Sequence, residues 1–268
     1  MTTFVTGGHV NANGIRQHYL RYGGKGHALI VVPGITSPAI TWGFVAERLG
    51  QHFDTYVLDV RGRGLSSSGP DLDYATDACA ADIPAFAAAL GLDSYHLVGH
   101  SMGARFAIRA AANGAPGLQK LVLVDPPVSG PGRRAYPSKL PWYVDSIRQA
   151  SMGMSGEDMR TYCATWSDEQ LALRAEWLHT CYEPAIVRAF DDFHEVDIHQ
   201  YLPAVRQPAL LIVAGRGGVI EPCDIAEIRE LKPDIQVVQV ANAGHMIPWD
   251  DLDGFFAAFG LFLDRSLA

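Results

Sequence analysis

Short apolar runs that alternate with stretches of helical periodicity constrain the fold of this chain more than any other feature. A short run that is wholly or mostly apolar is typical of a strand buried in a sheet. Parallel strands need a crossover between them, and the helical stretches supply it. The pattern therefore predicts an α/β fold, with a largely parallel sheet covered by helices. The runs are Ala28–Val32, Asp54–Val60, Tyr95–Val98, Lys120–Val124, Ala209–Ala214 and Ile235–Val240.

The segment Val10–Tyr22 predicts a β-hairpin, because Asn13-Gly14 is a strong two-residue turn signal between its two halves. The hairpin brings the expected number of strands to about eight. We expect helices over residues 39–51, 76–90, 104–112, 222–231 and 252–264. Pro84 lies inside the second of these and should kink it or mark a later start.

The alternation stops between residues 128 and 204. No strand-like run occurs in this stretch, which has the pattern of helices and loops and is rich in aromatic side chains. We therefore interpret residues 128–204 as a helical cap. The cap is inserted in an α/β core formed by residues 1–127 and 205–268.

Composition limits the classes of function. The chain has 268 residues, of which 48% are apolar and 19% charged, an ordinary balance for a globular protein. A net charge of -8 argues against a nucleic-acid partner. Residues Met1–Gly8 lack the features of an export signal, and no run approaches the ~20 apolar residues of a membrane helix. We expect a cytoplasmic monomer or small homo-oligomer that does not bind membranes.

The cysteines give no sign of a metal site or a disulfide framework. Cys79, Cys163, Cys181 and Cys223 are scattered, and no C-x-x-C pair occurs. We expect small buried thiols in a reducing compartment. No metal and no other cofactor is predicted.

The stretch Gly99-His100-Ser101-Met102-Gly103 lies between a predicted strand and a predicted helix. Its two glycines permit a turn too tight for larger side chains, which would raise the serine hydroxyl above the sheet and aim the helix N-terminus at it. The five-residue pattern alone is weak, since glycine and serine are common in ordinary turns. It gains weight from the strand–turn–helix context and from a base and an acid further along the chain.

Two further reactive side chains follow predicted strands. Asp125 comes directly after the strand that ends at Val124, and His245 comes after the last strand. Because ligands bind at the carboxyl ends of parallel strands, we expect Ser101, Asp125 and His245 to meet at one edge of the sheet. Serine needs a base to take its proton, and an acid holds the imidazole in the required tautomer. Taken singly, the aspartate could be a turn former and the histidine an ordinary loop residue.

Four segments together resemble the signature set of the α/β-hydrolase superfamily, in its order and at its spacing. The resemblance implies an eight-stranded, mostly parallel sheet with one antiparallel strand near the N-terminus. It also implies an oxyanion hole formed by the backbone N–H groups of Ile35 and Met102. The segments are Pro33-Gly34, Asp59–Ser66, Gly99–Gly103 and Gly244-His245.

The acid departs from the common position of the superfamily. Relatives usually carry it after the strand that is here Leu210–Ala214, in a G-x-x-D-x-x-x-P pattern. In this chain Gly218 occupies the place of the acid and Pro222 the place of the proline. Some members carry the acid at the end of the preceding strand, which is where Asp125 lies. We therefore assign Asp125 as the acid, with Glu221 as its competitor because Glu221 is longer and close to the vacant position.

A serine nucleophile excludes the dehalogenase and epoxide-hydrolase activities of the superfamily, which need a carboxylate nucleophile. Acyl transfer to water remains, with attack by Ser101 and deacylation by water that His245 activates. Ester, amide, thioester and C–C substrates all suit this apparatus.

Over its whole length the chain also resembles the deformylases of aerobic bacterial nicotinate degradation. The segments that carry this resemblance are Gly14–Gly24, Val32–Gly43, Val124–Arg134 and Gly244–Asp251. It implies hydrolysis of the formyl amide of a small anionic substrate through a formyl-Ser101 intermediate. Such a substrate needs a positive anchor, for which the cap offers several candidates that could equally be solvated surface charges. They are Arg133, Arg134, Arg148, Arg174, His179 and Arg188.

Two other functions stay open at this point. The first is a carboxylesterase or another small-molecule amidase with the same three residues. The second is a ligand receptor that keeps the hydrolase fold without turnover. Comparing formate release with aryl-ester turnover separates the first from a deformylase, and an acyl-enzyme on Ser101 separates the second from an enzyme.

Overall fold

The computed structural model describes residues 2–259 and 262–263. Within these residues, eight strands form one sheet in the order β1-β2-β4-β3-β5-β6-β7-β8. The predicted α/β class and the eight-stranded sheet are therefore confirmed. The strands are β1 (Phe4–Ala12), β2 (Ile15–Tyr22), β3 (Ala28–Val32), β4 (Asp54–Leu58), β5 (Tyr95–His100), β6 (Leu118–Val124), β7 (Ala209–Ala214) and β8 (Gln236–Val240).

One strand of the sheet runs against the others. β2 is antiparallel to both β1 and β4, whereas every pair from β4 to β8 is parallel. The β1–β2 hairpin turns at Asn13 and Gly14, whose φ angles of 47° and 75° are the positive values that a tight hairpin turn needs. The expected antiparallel strand near the N-terminus is thus β2.

Helices cover the sheet and fill the interval between β6 and β7. Short 3-10 segments occur at Ala39–Trp42, Leu178–Thr180 and Ile198–Ala204. The α-helices of the described residues are α1 (Gly43–Leu49), α2 (Thr76–Ala89), α3 (Met102–Ala112), α4 (Leu140–Ser151), α5 (Gly156–Met159), α6 (Asp168–Trp177), α7 (Glu183–Glu195), α8 (Pro222–Leu231), α9 (Ile247–Asp250) and α10 (Leu252–Phe259).

Several helix predictions need correction. The helix expected over 39–51 begins as a 3-10 segment, where the Asp59 carboxylate accepts the N–H of Ala39 at 2.6 Å. α2 contains Pro84 and still begins at Thr76, so the later start is wrong. α9 is a single turn that the sequence does not predict. The predicted positions 260, 261 and 264 of the last helix lie outside the described residues.

The centre of the sheet is buried on both faces. Leu29, Leu97, Leu121 and Ile212, one from each of β3, β5, β6 and β7, are 0% exposed. Full burial of one such side chain contributes about 1.5–3 kcal/mol. The loops at the carboxyl ends of these strands are therefore anchored to a well-packed core.

The interval between β6 and β7 contains helices and no strand among its described residues. The Arg105 guanidinium of α3 ties both ends of this interval to the sheet. Its Nη1 donates to the carbonyls of Pro127 (2.7 Å) and Ser129 (3.2 Å), and its Nη2 to those of Asp192 (2.8 Å) and Val196 (2.5 Å). The division into a core and a 128–204 cap stays a prediction.

The described residues bear on the expectations about membrane helices, metal sites and cysteines. None of their helices is long and apolar enough to cross a membrane. No group of three or more His, Cys, Asp or Glu among them is placed to hold a metal ion. Cys79, Cys163 and Cys181 are buried, but Cys223 is exposed because it lies in the first turn of α8, so the expectation of four buried thiols is wrong for that residue.

Candidate active site

Ser101 lies in the turn between β5 and α3 with a backbone that few non-glycine residues adopt. Its φ and ψ are 52° and -117°, a conformation that costs about 1–3 kcal/mol and persists only where the surroundings enforce it. The surroundings here are tight. A Cβ at Gly99 would lie 2.5 Å from the carbonyl oxygen of Gly103, and a Cβ at Gly103 would collide with the carbonyl of Val32. The two glycines let α3 begin directly against the sheet.

Ser101, His245 and Asp125 form one hydrogen-bonded series. His245 Nε2 lies 2.9 Å from Ser101 Oγ, and His245 Nδ1 lies 2.7 Å from Asp125 Oδ2. In the tautomer that satisfies both contacts, Nδ1–H donates to the carboxylate and Nε2 accepts the serine hydroxyl. This is the arrangement by which a serine hydroxyl is activated as a nucleophile.

Asp125 is completely buried at the end of β6, and its φ of 44° is also strained. Besides His245, Oδ2 accepts the N–H of Val219 at 3.2 Å and Oδ1 that of Ala214 at 3.3 Å. Gly218 stands directly beside it. A Cβ built at Gly218 would lie 3.0 Å from Asp125 Oδ2. The carboxylate from β6 thus occupies the space next to the position where relatives carry the acid.

Glu221 lies at the start of α8 and forms an ion pair with Arg134 instead of contacting His245. Its Oε1 is 3.3 Å from Nε of Arg134, and its side chain is 55% exposed. Among the described residues it makes no hydrogen bond to His245. The geometry therefore brings Asp125, and not Glu221, to the imidazole.

The backbone N–H groups of Ile35 and Met102 belong to residues next to Ser101, since Ile35 lines the same cavity and Met102 directly follows Ser101 in the chain. Ile35 follows Pro33-Gly34 after β3, and Met102 is the first residue of α3. Within the described part of the chain, neither N–H has a hydrogen-bond acceptor. Two unpaired N–H groups next to a nucleophile are the donors that an oxyanion hole requires.

A buried arginine contacts both of these residues. Arg63, 1% exposed, donates from Nε to the carbonyl of Ile35 at 3.1 Å, and its Nη2 lies 3.3 Å from Sδ of Met102. Nη1 donates to the carbonyl of Arg61, and Nη2 also to that of Ala185. The sequence gives this residue no role beyond the loop that contains it, because its partners come from distant parts of the chain.

The rest of the Asp59–Ser66 loop is held by its own polar groups. Asp59 accepts the N–H of Leu65 at 2.9 Å and pairs with His18 at 2.7 Å, while Ser66 Oγ donates to the Asp59 carbonyl. Arg61 pairs with Asp82 of α2 at 2.5 Å. These contacts give the loop a structural role, and the partner of Arg61 lies outside it, in α2.

His100 lies in the wall of the site, although its place beside Ser101 suggests that it should face away. Its Nε2–H donates to the carbonyl of His245 at 3.1 Å, and the two rings are 5.3 Å apart. Burial, with a smaller contribution from the neighbouring His245, lowers the pKa of His100 to about 3. A neutral His100 therefore holds the backbone of His245 in place.

Ser101 and His245 open into a cavity of about 450 Å³, a size suited to a small molecule. Much of its wall comes from residues between β6 and β7. No signal in the sequence separates these from other aromatics of the same stretch, because helix packing decides which of them reach the cavity. They include Tyr136, Trp142, Tyr143, Tyr162, Trp166 and Arg174.

Of the six candidate anchors for an anion, the cavity is lined by Arg174 alone. His179 lies on the 3-10 segment after α6 and does not reach the cavity. The remaining four form ion pairs with carboxylates elsewhere. They are Arg133, Arg134, Arg148 and Arg188.

The sheet order, the strained serine turn and the Ser–His–Asp series define a hydrolase of the α/β type. A family profile described as alpha/beta hydrolase fold matches residues 27–252, and the chain belongs to that family. It is 91% identical, over 267 residues that cover the whole of both chains, to N-formylmaleamate deformylase of Pseudomonas putida KT2440. The expected membership and the closer resemblance are both confirmed.

Two further relatives extend the comparison. The crystal structure of a serine-to-alanine variant of N-formylmaleamic acid deformylase from Pseudomonas putida S16 superposes with a TM-score of 0.92 and 55% identity, covering 95% of this chain and all of that one. 2-(Acetamidomethylene)succinate hydrolase of Mesorhizobium japonicum is 26% identical over 244 residues, or 85% of this chain and 84% of that enzyme.

Proposed function

We propose that this chain is a serine hydrolase that cleaves the formyl amide of N-formylmaleamate to formate and maleamate. The observation that carries the substrate is the 91% identity over the whole chain to N-formylmaleamate deformylase. The hydrogen-bonded series of Ser101, His245 and Asp125 supplies the chemistry.

The first half-reaction transfers the formyl group to Ser101. Oγ attacks the formyl carbon while His245 Nε2 takes the hydroxyl proton, and Asp125 stabilises the imidazolium that results. The N–H groups of Ile35 and Met102 donate to the oxygen that becomes negative. The formyl carbon carries only hydrogen besides oxygen and nitrogen, so it is the least hindered carbonyl carbon of the substrate.

Collapse of the tetrahedral species breaks the C–N bond. His245 returns the proton to the departing nitrogen, and maleamate leaves with that nitrogen as its amide. A second carbonyl on the same nitrogen delocalises its electron pair, which makes it a better leaving group than an ordinary amine. Water then attacks formyl-Ser101 with His245 as the base, and formate departs as Ser101 recovers its proton.

The helices between β6 and β7 suit the role of a cap. Residues 128–204 supply a large part of the cavity wall, whereas Ser101, Asp125 and His245 belong to the sheet and its loops. A wall built from a separate segment shapes substrate preference without disturbing the reactive groups. In this proposal the enzyme acts on a small anionic molecule in the cytoplasm, as a monomer or small homo-oligomer.

Formate release tests the proposed function. We expect purified protein to release formate from N-formylmaleamate with a kcat/KM at least about 100-fold above that for p-nitrophenyl acetate, because only the amide would use the whole cavity. Ser101→Ala should abolish both activities. Formate release no faster than ester turnover would instead favour a carboxylesterase.

A receptor without turnover makes a different prediction. Rapid quenching of wild type with N-formylmaleamate, followed by mass spectrometry of the peptide that contains Ser101, should trap the formyl ester. The Ser101→Ala protein serves as the blank. If neither product nor acyl-enzyme forms while the ligand still binds, the chain is a binding protein on the hydrolase fold.

A further inference from the structure

Arg174 is a buried cation without an acidic partner. It lies on α6, is 3% exposed and lines the same cavity as Ser101. No carboxylate of the described residues forms an ion pair with it. Arginine stays protonated in proteins, so the charge is present whether or not a ligand is bound.

The hydrogen bonds of this guanidinium fix its position beside the oxyanion loop. Nη1 donates to the carbonyl of Thr36 at 2.8 Å and Nη2 to its hydroxyl at 2.9 Å. Thr36 directly follows Ile35, whose N–H is one of the two oxyanion donors. Nε is buried and has no acceptor in the described part of the chain. A guanidinium carries five N–H donors, and Thr36 accepts two of them, so further N–H groups are left for a ligand.

The indoles of Trp142 and Trp166 cover the guanidinium. Its carbon lies 5.9 Å and 5.5 Å from the centroids of the two rings. Aromatic faces attract a cation and exclude water, but they do not neutralise it. A charge held in this way gains strongly from an anion that enters the cavity.

The other charged groups of the cavity are engaged elsewhere. Asp250 accepts the N–H of Gly244 at 2.8 Å and the hydroxyl of Thr165 at 3.3 Å. Asp125 lies behind His245 and is bound to it. Within the described residues, neither carboxylate forms an ion pair with Arg174.

We propose that Arg174 binds the carboxylate of the substrate and so makes the enzyme specific for N-formyl amides that carry one. This inference rests on the proposed function and adds to it the residue that selects the substrate class. The carboxylate accepts N–H groups that Thr36 leaves free and so sets the formyl carbon at Ser101 from the far end of the molecule. A neutral analogue binds with the same reactive groups but without this anchor.

Arg174 could instead act only as a support for the oxyanion loop through Thr36. The two roles differ in what they do to a neutral substrate. Loss of a loop support slows every substrate alike, because every substrate uses the oxyanion donors. Loss of an anchor acts selectively on the substrate with a carboxylate.

The test compares N-formylmaleamate with its methyl ester in wild type, Arg174→Gln and Arg174→Lys. We expect Arg174→Gln to lower kcat/KM for the acid on the order of 100-fold more than for the ester, mostly through KM. Arg174→Lys keeps the charge but loses the forked set of N–H donors, so its kcat/KM for the acid should lie between those of wild type and Arg174→Gln. Equal losses on the two substrates would overturn the proposal. Melting temperatures report whether each variant folds.

Arg148→Gln is the matched control, since Arg148 is a cap arginine paired with Glu183 and outside the cavity. It should leave kcat/KM for both substrates unchanged.

Maleate binding, followed by the fluorescence of the tryptophans over Arg174, gives a readout that does not need turnover. If wild type does not deformylate the substrate but binds maleate through Arg174, the proposed function is wrong and the carboxylate site is supported. If wild type deformylates the substrate and Arg174→Gln binds maleate as tightly as wild type does, only the carboxylate site is wrong.

Discussion

At the scale of single residues, the candidate site depends on how Asp125 is held. Its two oxygens accept one side-chain donor and two backbone N–H groups, so the carboxylate cannot rotate away from His245. Burial makes each of these bonds costly to lose. Glu221, exposed and paired with Arg134, has no comparable constraint.

We predict that Asp125→Ala lowers kcat for formate release by about 10⁴-fold, because the imidazole loses both its tautomer and its counter-charge. Glu221→Ala should change kcat less than about threefold, the effect of a solvent-exposed ion pair at a distance. Initial rates at saturating substrate measure both.

Asp125→Asn separates a loss of catalysis from a loss of folding. Asparagine keeps an acceptor for one of the two backbone N–H groups but carries no charge to stabilise an imidazolium. It should melt closer to wild type than Asp125→Ala does and still lose most of the activity. The assignment of the acid is wrong if Glu221→Ala proves the more damaging change.

The positions of the reactive residues could be predicted because each follows a strand. Ser101, Asp125 and His245 come directly after β5, β6 and β8 or in the loop beyond, and parallel strands deliver their ends to one edge. Arg174 and Tyr136 could not be separated from similar residues of the same stretch. Their place in the cavity depends on how α4, α6 and α7 pack, which no local pattern encodes.

At the scale of elements, the loop that carries His245 is held from two sides. His100, the last residue of β5, donates to the carbonyl of His245, and Asp250 of α9 accepts the N–H of Gly244. His100 makes this contact as a neutral imidazole, because burial lowers its pKa to about 3. Its charged form would meet His245 at close range.

We therefore predict that His100 makes the fold sensitive to acid. The unfolded chain binds a proton at this residue below about pH 6.5, whereas the folded protein does not until about pH 3. The stabilisation is present above pH 6.5 and is lost as the pH falls, by up to about 1.4 kcal/mol per pH unit.

Urea unfolding from pH 7.5 to 5 in wild type and His100→Gln measures this effect. The difference in free energy of unfolding between the two proteins should shrink steadily below pH 6.5, because glutamine keeps a donor but does not titrate. A difference that stays constant with pH would contradict the assignment.

Elements with a continuous apolar run could be predicted almost to the residue. β3 and β7 have the bounds that their runs indicate, since burial on both faces leaves no room for polar residues. α9 was beyond reach because a single turn has no periodicity. β1 begins at Phe4, six residues earlier than expected, because its first half is exposed and so lacks an apolar run.

At the scale of the whole molecule, one side chain joins the sheet region to the interval between β6 and β7. The buried Arg105 guanidinium donates to four carbonyls, two where the chain leaves β6 and two at the end of α7. No carboxylate among the described residues forms an ion pair with it, and burial lowers its pKa to about 10. The attachment therefore depends on backbone acceptors.

We predict that Arg105→Gln destabilises the protein by about 3 kcal/mol, because buried carbonyls lose their donors. The melting temperature should fall by roughly 6–10 °C. Arg109→Gln on the same helix is the matched control, since Arg109 forms a pair with the exposed Asp77 and should cost less than about 1 kcal/mol. Similar losses in both variants would show that Arg105 is not a special attachment.

Gly218 constrains how such a site can evolve. A side chain at position 218 would enter the space that the Asp125 carboxylate fills. Only one of the two strand ends can therefore place a carboxylate there. A chain with acids at both positions would crowd two negative charges, and a chain with neither would leave its histidine without a partner. Moving the acid from position 125 to position 218 therefore requires a change at both positions.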